Sequence, residues 1–98
     1  MTGPEQTTRW VISGRVQGVG FRYFAYKKAS EHGIDGYVKN LMDGSVEVLA
    51  EGNREDLESF LEDLKKGPSF SNVDSVQCEW NEYEGEYKSF TIEAGYDY

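Results

Sequence analysis

The sequence predicts an α+β domain in which two helices cover one face of an antiparallel sheet. Three observations carry this prediction. Two stretches repeat apolar residues at helical spacing, short β-rich runs lie around them, and an Asp-Gly pair joins two of these runs. At 98 residues the chain has room for one core, so residues 1–98 are predicted to form a single domain with its core at about 9–95.

The first strand is predicted to begin at Arg9 and to stop at Gly14, because the run WVIS is short and β-rich. Residues 14–20, GRVQGVG, carry three glycines in seven positions and are predicted to be a loop. An amphipathic helix is expected next, since apolar residues recur at i, i+4 and i+8 and a glycine follows. These residues are Phe21, Ala25, Ala29 and Gly33.

Residues 36–51 are predicted to form a β-hairpin, because GYVKNL and SVEVLA flank the Asp43-Gly44 bend. The second helix has Asn53 as a natural N-cap and stops at Gly67-Pro68. Its apolar stripe consists of Leu57, Phe60, Leu61 and Leu64.

Two late strands are predicted from alternation, the first containing Val76, Cys78 and Trp80 and the second Phe90, Ile92 and Ala94. The resulting order is β-α-β-β-α-β with a short C-terminal strand added. This is the split βαβ pattern called ferredoxin-like.

Composition excludes several classes of function. A net charge of −8 argues against nucleic-acid binding, which needs clustered Lys and Arg. The single cysteine, Cys78, suits a reducing compartment and predicts a cytoplasmic protein. The N-terminus MTGPEQTTRW is polar where a signal peptide has an apolar region, and no apolar run reaches the ~18 residues of a membrane span, so neither secretion nor membrane insertion is expected. Residues 1–42 carry a net charge of +3 against −11 for residues 43–98, so an anion site is expected in the first half.

The junction between the first strand and the first helix is the strongest candidate for a binding site. Glycine-rich loops and helix N-termini both present unpaired N–H groups, and such junctions bind phosphate. The glycines at 14, 18 and 20 match neither a nucleotide P-loop nor a dinucleotide GxGxxG pattern, so ATP and NAD are not expected.

Two polar residues stand out near this junction. Arg22 places a cation at the positive end of a helix dipole, which is unfavourable by roughly 0.3–1 kcal/mol unless an anion binds there. Asn40 is an amide within a strand, where asparagine is disfavoured. From the residues alone, Arg22 could equally point to solvent, and local turn chemistry is the better explanation for Asn40. His32 and Cys78 resemble neither nucleophiles nor a ligand set.

With GRVQGVGFR at 14–22 and GYVKNLMDGSVEVLAEG at 36–52, the chain closely resembles the acylphosphatase family over residues 9–94. The resemblance implies a ferredoxin-like fold and hydrolysis of small acyl phosphates, without metal or cofactor. It implies that Arg22 is the catalytic arginine and that Asn40 orients the attacking water. The implied phosphate-binding residues are Arg15, Val16, Gln17, Gly18, Val19, Gly20 and Phe21.

The implied reaction is direct attack of water, with inorganic phosphate as product and competitive inhibitor and with a monomeric enzyme. The tail YEGEYKSFTIEAGYDY is the part least like the family and is expected at the sheet edge, away from the site. Two alternatives stay open: a non-catalytic module that binds a phosphorylated ligand, and a fragment of a larger carbamoyl-transfer protein. The end at Tyr98 and the capped helices favour a free-standing domain.

Overall fold

The computed structural model describes residues 4–97. Within that range two helices and five strands follow one another in the predicted order. Their bounds are β1 Glu5–Arg15, α1 Phe21–His32, β2 Asp35–Leu41, β3 Val46–Asn53, α2 Arg54–Lys66, β4 Asn72–Glu82 and β5 Phe90–Asp97. Neither helix in the described part of the chain is long and apolar enough to cross a membrane.

The strands form one sheet in the order β4-β1-β3-β2-β5. Three of the four pairings are antiparallel, whereas β5 runs parallel to β2, with Val38 opposite Ile92. The sheet is therefore mixed and not wholly antiparallel as predicted, because the connection from β4 crosses to the far edge before β5 begins. The α+β ferredoxin-like class is confirmed.

The first strand is longer than the sequence indicated. It begins at Glu5, four residues before the predicted start at Arg9, and it ends at Arg15, inside the predicted loop. The polar residues at its start adopt strand structure because β1 is central and pairs with a strand on each side. Thr7 and Thr8 are buried as a result. Tertiary pairing here overrides weak local propensity.

The predicted caps are present at the end of α1 and at the start of α2. Gly33 caps α1 in the left-handed conformation, where a side chain is disfavoured. At α2, the Asn53 side chain accepts a hydrogen bond of 2.9 Å from the backbone N–H of Asp56.

The core lies between the helices and one face of the sheet. Trp10 and Phe60 have ring centroids 5.5 Å apart, and Phe60 meets Phe90 edge-on at 5.8 Å. The buried apolar residues are Trp10, Ile12, Val16, Phe21, Ala25, Ala29, Ile34, Val38, Val46, Val48, Ala50, Leu57, Phe60, Leu61, Leu64 and Phe90. Since Phe21 and Val16 belong to this cluster, the start of α1 and the loop before it are anchored in the core.

The Glu51 carboxylate ties the opposite face of the sheet to the connection between β4 and β5. It accepts hydrogen bonds from the Thr7 hydroxyl at 2.8 Å and from the backbone N–H groups of Gly85 and Tyr87 at 3.0 and 3.1 Å. Glu51 is only 2% exposed. One buried carboxylate therefore fixes the connection that leads to β5.

Candidate active site

A cavity of about 240 Å³ opens where β1 passes into α1. Residues from four parts of the fold line it: the loop, the first turn of α1, β2 and β5. They are Val16, Gly18, Gly20, Phe21, Arg22, Tyr23, Asn40 and Ile92. Arg22 is the only charged side chain among these described lining residues, so the cavity favours an anion.

The loop reaches its shape through two glycines. Gly18 and Gly20 have φ angles of 74° and 78°, in the left-handed region. A Cβ built on either glycine would contact nothing within 4 Å, so packing does not require glycine at these positions. Backbone conformation requires it, and the surface beside the loop stays open to a ligand.

The N-terminus of α1 is available to an anion. Gly20 is its N-cap and has no side chain with which to cap the helix. The first hydrogen bond of the helix runs from the N–H of Phe24 to the carbonyl of Gly20, at 3.0 Å. Earlier N–H groups of a helix have no intrahelical acceptor, and with the helix dipole they favour negative charge.

Arg22 makes one hydrogen bond to the described part of the chain. One guanidinium nitrogen donates a hydrogen bond of 3.0 Å to the backbone carbonyl of Glu93 in β5. A guanidinium has five N–H donors in a planar fork, so this contact orients the group and leaves donors for a ligand. Arg22 therefore does not simply extend into solvent, the alternative that its sequence allowed.

Asn40 lies on β2, buried, with 8% of its surface exposed. Its side-chain oxygen has no hydrogen-bond partner among the described residues. The bend after β2 is held instead by Asp43, whose carboxylate accepts a hydrogen bond of 2.9 Å from the backbone N–H of Ser45. The Ser45 hydroxyl and N–H lower the pKa of Asp43. The side-chain oxygen of Asn40 therefore does not stabilise the bend.

Six of the nine predicted site residues line the cavity, and three do not. The six that line the cavity are Val16, Gly18, Gly20, Phe21, Arg22 and Asn40. Arg15 is instead the exposed last residue of β1, paired with Asn72. Val19 packs against the core. The side chain of Gln17 donates to the carbonyls of Leu41 and Ser45 at 2.9 and 2.8 Å.

Sequence reasoning missed the contribution of β5. The tail was expected to lie away from the site, and this is wrong: Ile92 lines the cavity and the carbonyl of Glu93 holds Arg22. The tail does form the sheet edge, as expected, but that edge adjoins β2 and therefore Asn40. Tyr23 was also missed, although its place after Arg22 in the first helical turn was a usable signal.

Other polar groups lie outside the cavity. His32 contacts Asp63 of α2 at 2.7 Å and so links the two helices. Cys78 is exposed on β4. The described residues include no group of three or more His, Cys, Asp or Glu side chains arranged to hold a metal ion.

The fold and the cavity define a small α+β protein with a cavity, lined by one arginine, at a strand-to-helix junction. The family model for acylphosphatase matches residues 8–92. The acylphosphatase of Caldanaerobacter subterraneus is 48% identical over 88 residues, which cover 90% of this chain and 98% of that protein. The chain therefore belongs to the acylphosphatase family.

Two solved structures extend the comparison. The crystal structure of acylphosphatase from Bacillus subtilis is similar, with a TM-score of 0.88 and 40% identity over 91% of this chain and 99% of that one. Full-length HypF, in a phosphate- and nucleotide-bound form, is similar with a TM-score of 0.87 and 33% identity. That match covers 98% of this chain but only 13% of HypF.

Proposed function

We propose that this protein hydrolyses the carboxyl-phosphate bond of small acyl phosphates, with Arg22 and the loop holding the phosphoryl group and Asn40 orienting the water. The observation that carries the proposal is one cavity that the start of α1, Arg22 and Asn40 line together, with the side-chain oxygen of Asn40 buried and without a hydrogen-bond partner among the described residues. Family membership supports the same reaction.

The phosphoryl group binds through backbone N–H groups and the arginine. The loop between β1 and α1 contributes two left-handed glycines to the lining of the cavity, and α1 adds its N-terminal N–H groups. The Arg22 donors not used by the Glu93 carbonyl pair with two phosphoryl oxygens. A bound anion also removes the unfavourable interaction of about 0.3–1 kcal/mol between the Arg22 cation and the helix dipole.

The attacking water binds to Asn40. A buried carbonyl oxygen without a partner has a desolvation cost of about 1–3 kcal/mol, which a water molecule that donates to it offsets. The water oxygen forms the new bond to phosphorus, and the bond from phosphorus to the carboxyl oxygen breaks. The electron pair leaves with the carboxylate, and a water proton passes to phosphate or solvent.

The reaction needs neither a general acid nor a metal. A carboxylate is a good leaving group without protonation, so positioning and charge stabilisation lower most of the barrier. The one charged side chain among the described lining residues, Arg22, supplies the charge.

We propose further that the protein is a cytoplasmic monomer and that inorganic phosphate, its product, inhibits it competitively. The lone cysteine suits a reducing compartment. Light scattering on the purified protein tests the oligomeric state.

The experiment compares acetyl phosphate with a simple phosphate monoester in metal-free buffer, with acetyl phosphate also hydrolysed in ¹⁸O-labelled water. We expect turnover of acetyl phosphate alone, with the label in phosphate. Label in acetate would mean attack at the carbonyl carbon and would overturn the mechanism. Phosphate binding without turnover would establish the non-catalytic alternative.

A further inference from the structure

The strand β5 departs from regular pairing beside the candidate active site. Val38 of β2 lies opposite Ile92. Two residues later on β2, Asn40 lies opposite Tyr96, four residues later on β5. One residue of β2 is therefore across from three residues of β5, at 93–95, which we call the β5 bulge. Bulges are rare in parallel pairs, and those next to active sites redirect groups of the strand that carries them.

We propose that the β5 bulge is a positioning element for Arg22. Residues in a bulge leave the ladder of the sheet, so their backbone groups are available to other partners. The carbonyl of Glu93 is such a group, and it accepts the hydrogen bond of 3.0 Å from the Arg22 guanidinium. This inference rests on the proposed function, in which Arg22 binds the phosphoryl group.

The bulge also relates Arg22 to Asn40. Its first residue, Glu93, holds the guanidinium, and Tyr96, directly after the bulge, is paired with Asn40. Both Arg22 and Asn40 line the cavity. One short piece of β5 therefore fixes the proposed phosphate-binding and water-binding side chains relative to each other, and catalysis is sensitive to misplacements of about 1 Å.

The β5 bulge offers Arg22 a neutral acceptor although the same residue carries a carboxylate. Side chains alternate along a strand, and Ile92 lines the cavity, so the Glu93 side chain is expected on the opposite face. Its carboxylate accepts a hydrogen bond of 3.0 Å from the Thr91 hydroxyl. Burial raises the pKa of Tyr87, and the charge of Glu93 adds to that rise, which places this carboxylate on the side of Tyr87.

A neutral acceptor leaves the charge of Arg22 to the ligand. Hydrogen bonds between a cation and a carboxylate are roughly twice as strong as those between neutral groups. An ion pair between Arg22 and the Glu93 carboxylate would therefore compete with the phosphoryl group. The carbonyl fixes the orientation of the guanidinium without adding an anion. The β5 bulge follows residue 92, the last residue that the family model matches, so family membership does not imply this device.

The experiment weakens the Glu93 carbonyl without changing a neighbouring side chain. Replacing Ala94 by L-lactic acid turns the amide between residues 93 and 94 into an ester, whose carbonyl is a weaker hydrogen-bond acceptor. Cys78 permits this change by native chemical ligation of recombinant residues 1–77 to a synthetic peptide of residues 78–98. Compared with the ligated all-amide protein, kcat/KM for acetyl phosphate is expected to fall by about 10-fold.

The matched control is an ester between Lys88 and Ser89, just before β5. Neither the Lys88 carbonyl nor the Ser89 N–H makes a hydrogen bond within the described part of the chain. The control ester is expected to leave kcat/KM within about twofold of the all-amide protein.

A second measurement follows Arg22 itself. Labelling the recombinant segment with ¹⁵N labels the Arg22 side chain, and NMR measures how fast its guanidinium group rotates in the protein without ligand. The ester at residue 94 is expected to speed this rotation, whereas the control ester is not. A bulge that served only stability would leave the rotation unchanged.

Deletion of Ala94 and Gly95 removes the bulge itself. Because two residues are lost, the alternation of side chains is kept and the pairing with β2 becomes regular. The Glu93 carbonyl then joins the ladder and turns away from Arg22. We expect kcat/KM for acetyl phosphate to fall by about 100-fold, while the midpoint of urea unfolding is no lower than in the wild type.

The outcomes distinguish the positioning role from the proposed function. A loss of kcat/KM in the ester at residue 94 no greater than in the control ester would overturn the positioning role, as would wild-type kcat/KM in the folded deletion variant. If the deletion prevents folding, the two esters decide. Absence of acetyl phosphate hydrolysis by the all-amide protein would instead overturn the proposed function, and the NMR comparison would still test how Arg22 is held.

Discussion

The side-chain amide of Gln17 donates a hydrogen bond of 2.9 Å to the carbonyl of Leu41. Leu41 follows Asn40 directly, so this contact joins the loop to the strand that carries the proposed water-binding residue. The same nitrogen also donates a hydrogen bond to the backbone carbonyl of Ser45, on the other side of the bend. The position of the loop relative to Asn40 thus depends on a side chain that does not line the cavity.

Replacing Gln17 by leucine, which is similar in volume, is expected to lower kcat/KM for acetyl phosphate by about 10- to 100-fold, because small misplacements of reacting groups are costly. Loss of the hydrogen bonds is expected to cost about 1–2 kcal/mol of stability. Kinetics and urea unfolding measure both effects. Gln77→Leu on the exposed strand β4 is the control. Wild-type kcat/KM in folded Gln17→Leu would show that the contact does not position the site.

Arg22→Lys is expected to lower turnover by about 1,000-fold, since a point charge cannot reproduce the planar fork of a guanidinium on a phosphoryl group. Folding is expected to be retained because the residue lies at the cavity. The matched control is Arg54→Lys, at the first residue of α2, which is expected to keep activity within about twofold. Turnover of Arg22→Lys within a few-fold of the wild type would contradict the role of Arg22.

Local signals were sufficient to predict most of the fold. Asn53, Gly33 and the Asp43-Gly44 bend mark the ends of elements through their own backbone chemistry, and all three are where the sequence indicated. The early start of β1 and the parallel direction of β5 were not predictable in the same way. Both depend on pairing with strands that are distant in sequence, and residue propensities carry no information about such pairing.

The site was predictable where it is continuous in sequence. The loop and Arg22 lie within nine residues, 14–22, and their glycines and charge point to an anion. Ile92 and the carbonyl of Glu93 join the site only because β5 lies next to β2. Asn40 was predicted as a site residue from the resemblance. The structure adds a physical reason, because the side-chain oxygen of Asn40 is buried and has no partner among the described residues.

Inorganic phosphate is expected to raise the melting temperature, because a ligand that binds only the native state stabilises it. At ten times its dissociation constant the gain is about 1.4 kcal/mol, or about 5–10 °C for a domain of this size. Arg22→Ala is expected to abolish the shift in melting temperature.

EDTA is expected to change neither the phosphate-induced shift in melting temperature nor turnover. Activity lost on chelation and restored by a divalent ion would disprove the metal-free mechanism.

Glu51→Ala is expected to destabilise the protein by about 2–4 kcal/mol, because buried donors lose their acceptor. Those donors are the Thr7 hydroxyl and the N–H groups of Gly85 and Tyr87. Urea unfolding measures the change, with exposed Glu58→Ala expected within about 0.5 kcal/mol of the wild type. A Glu51→Ala protein as stable as Glu58→Ala would show that the carboxylate does not hold the connection.

Asn40→Ala separates the two tasks that the cavity combines. The proposed contact of Asn40 is with the nucleophile, so it matters in the transition state, whereas the loop N–H groups and Arg22 hold phosphate in ground and transition states alike. Turnover is therefore expected to fall by about 100-fold or more, while the dissociation constant of phosphate changes little. Steady-state kinetics and calorimetric titration with phosphate measure the two quantities.

The control for this variant must address folding, because Asn40 lies three residues before the bend at Asp43 and pairs with Val46 across the hairpin. Circular dichroism and a melting curve are measured beside the kinetics, and Asn81→Ala, at an exposed asparagine on β4, provides the matched substitution. A folded Asn40→Ala protein with wild-type turnover would remove Asn40 from the mechanism. Loss of phosphate binding as complete as the loss of activity would place Asn40 on the phosphoryl group instead of the water.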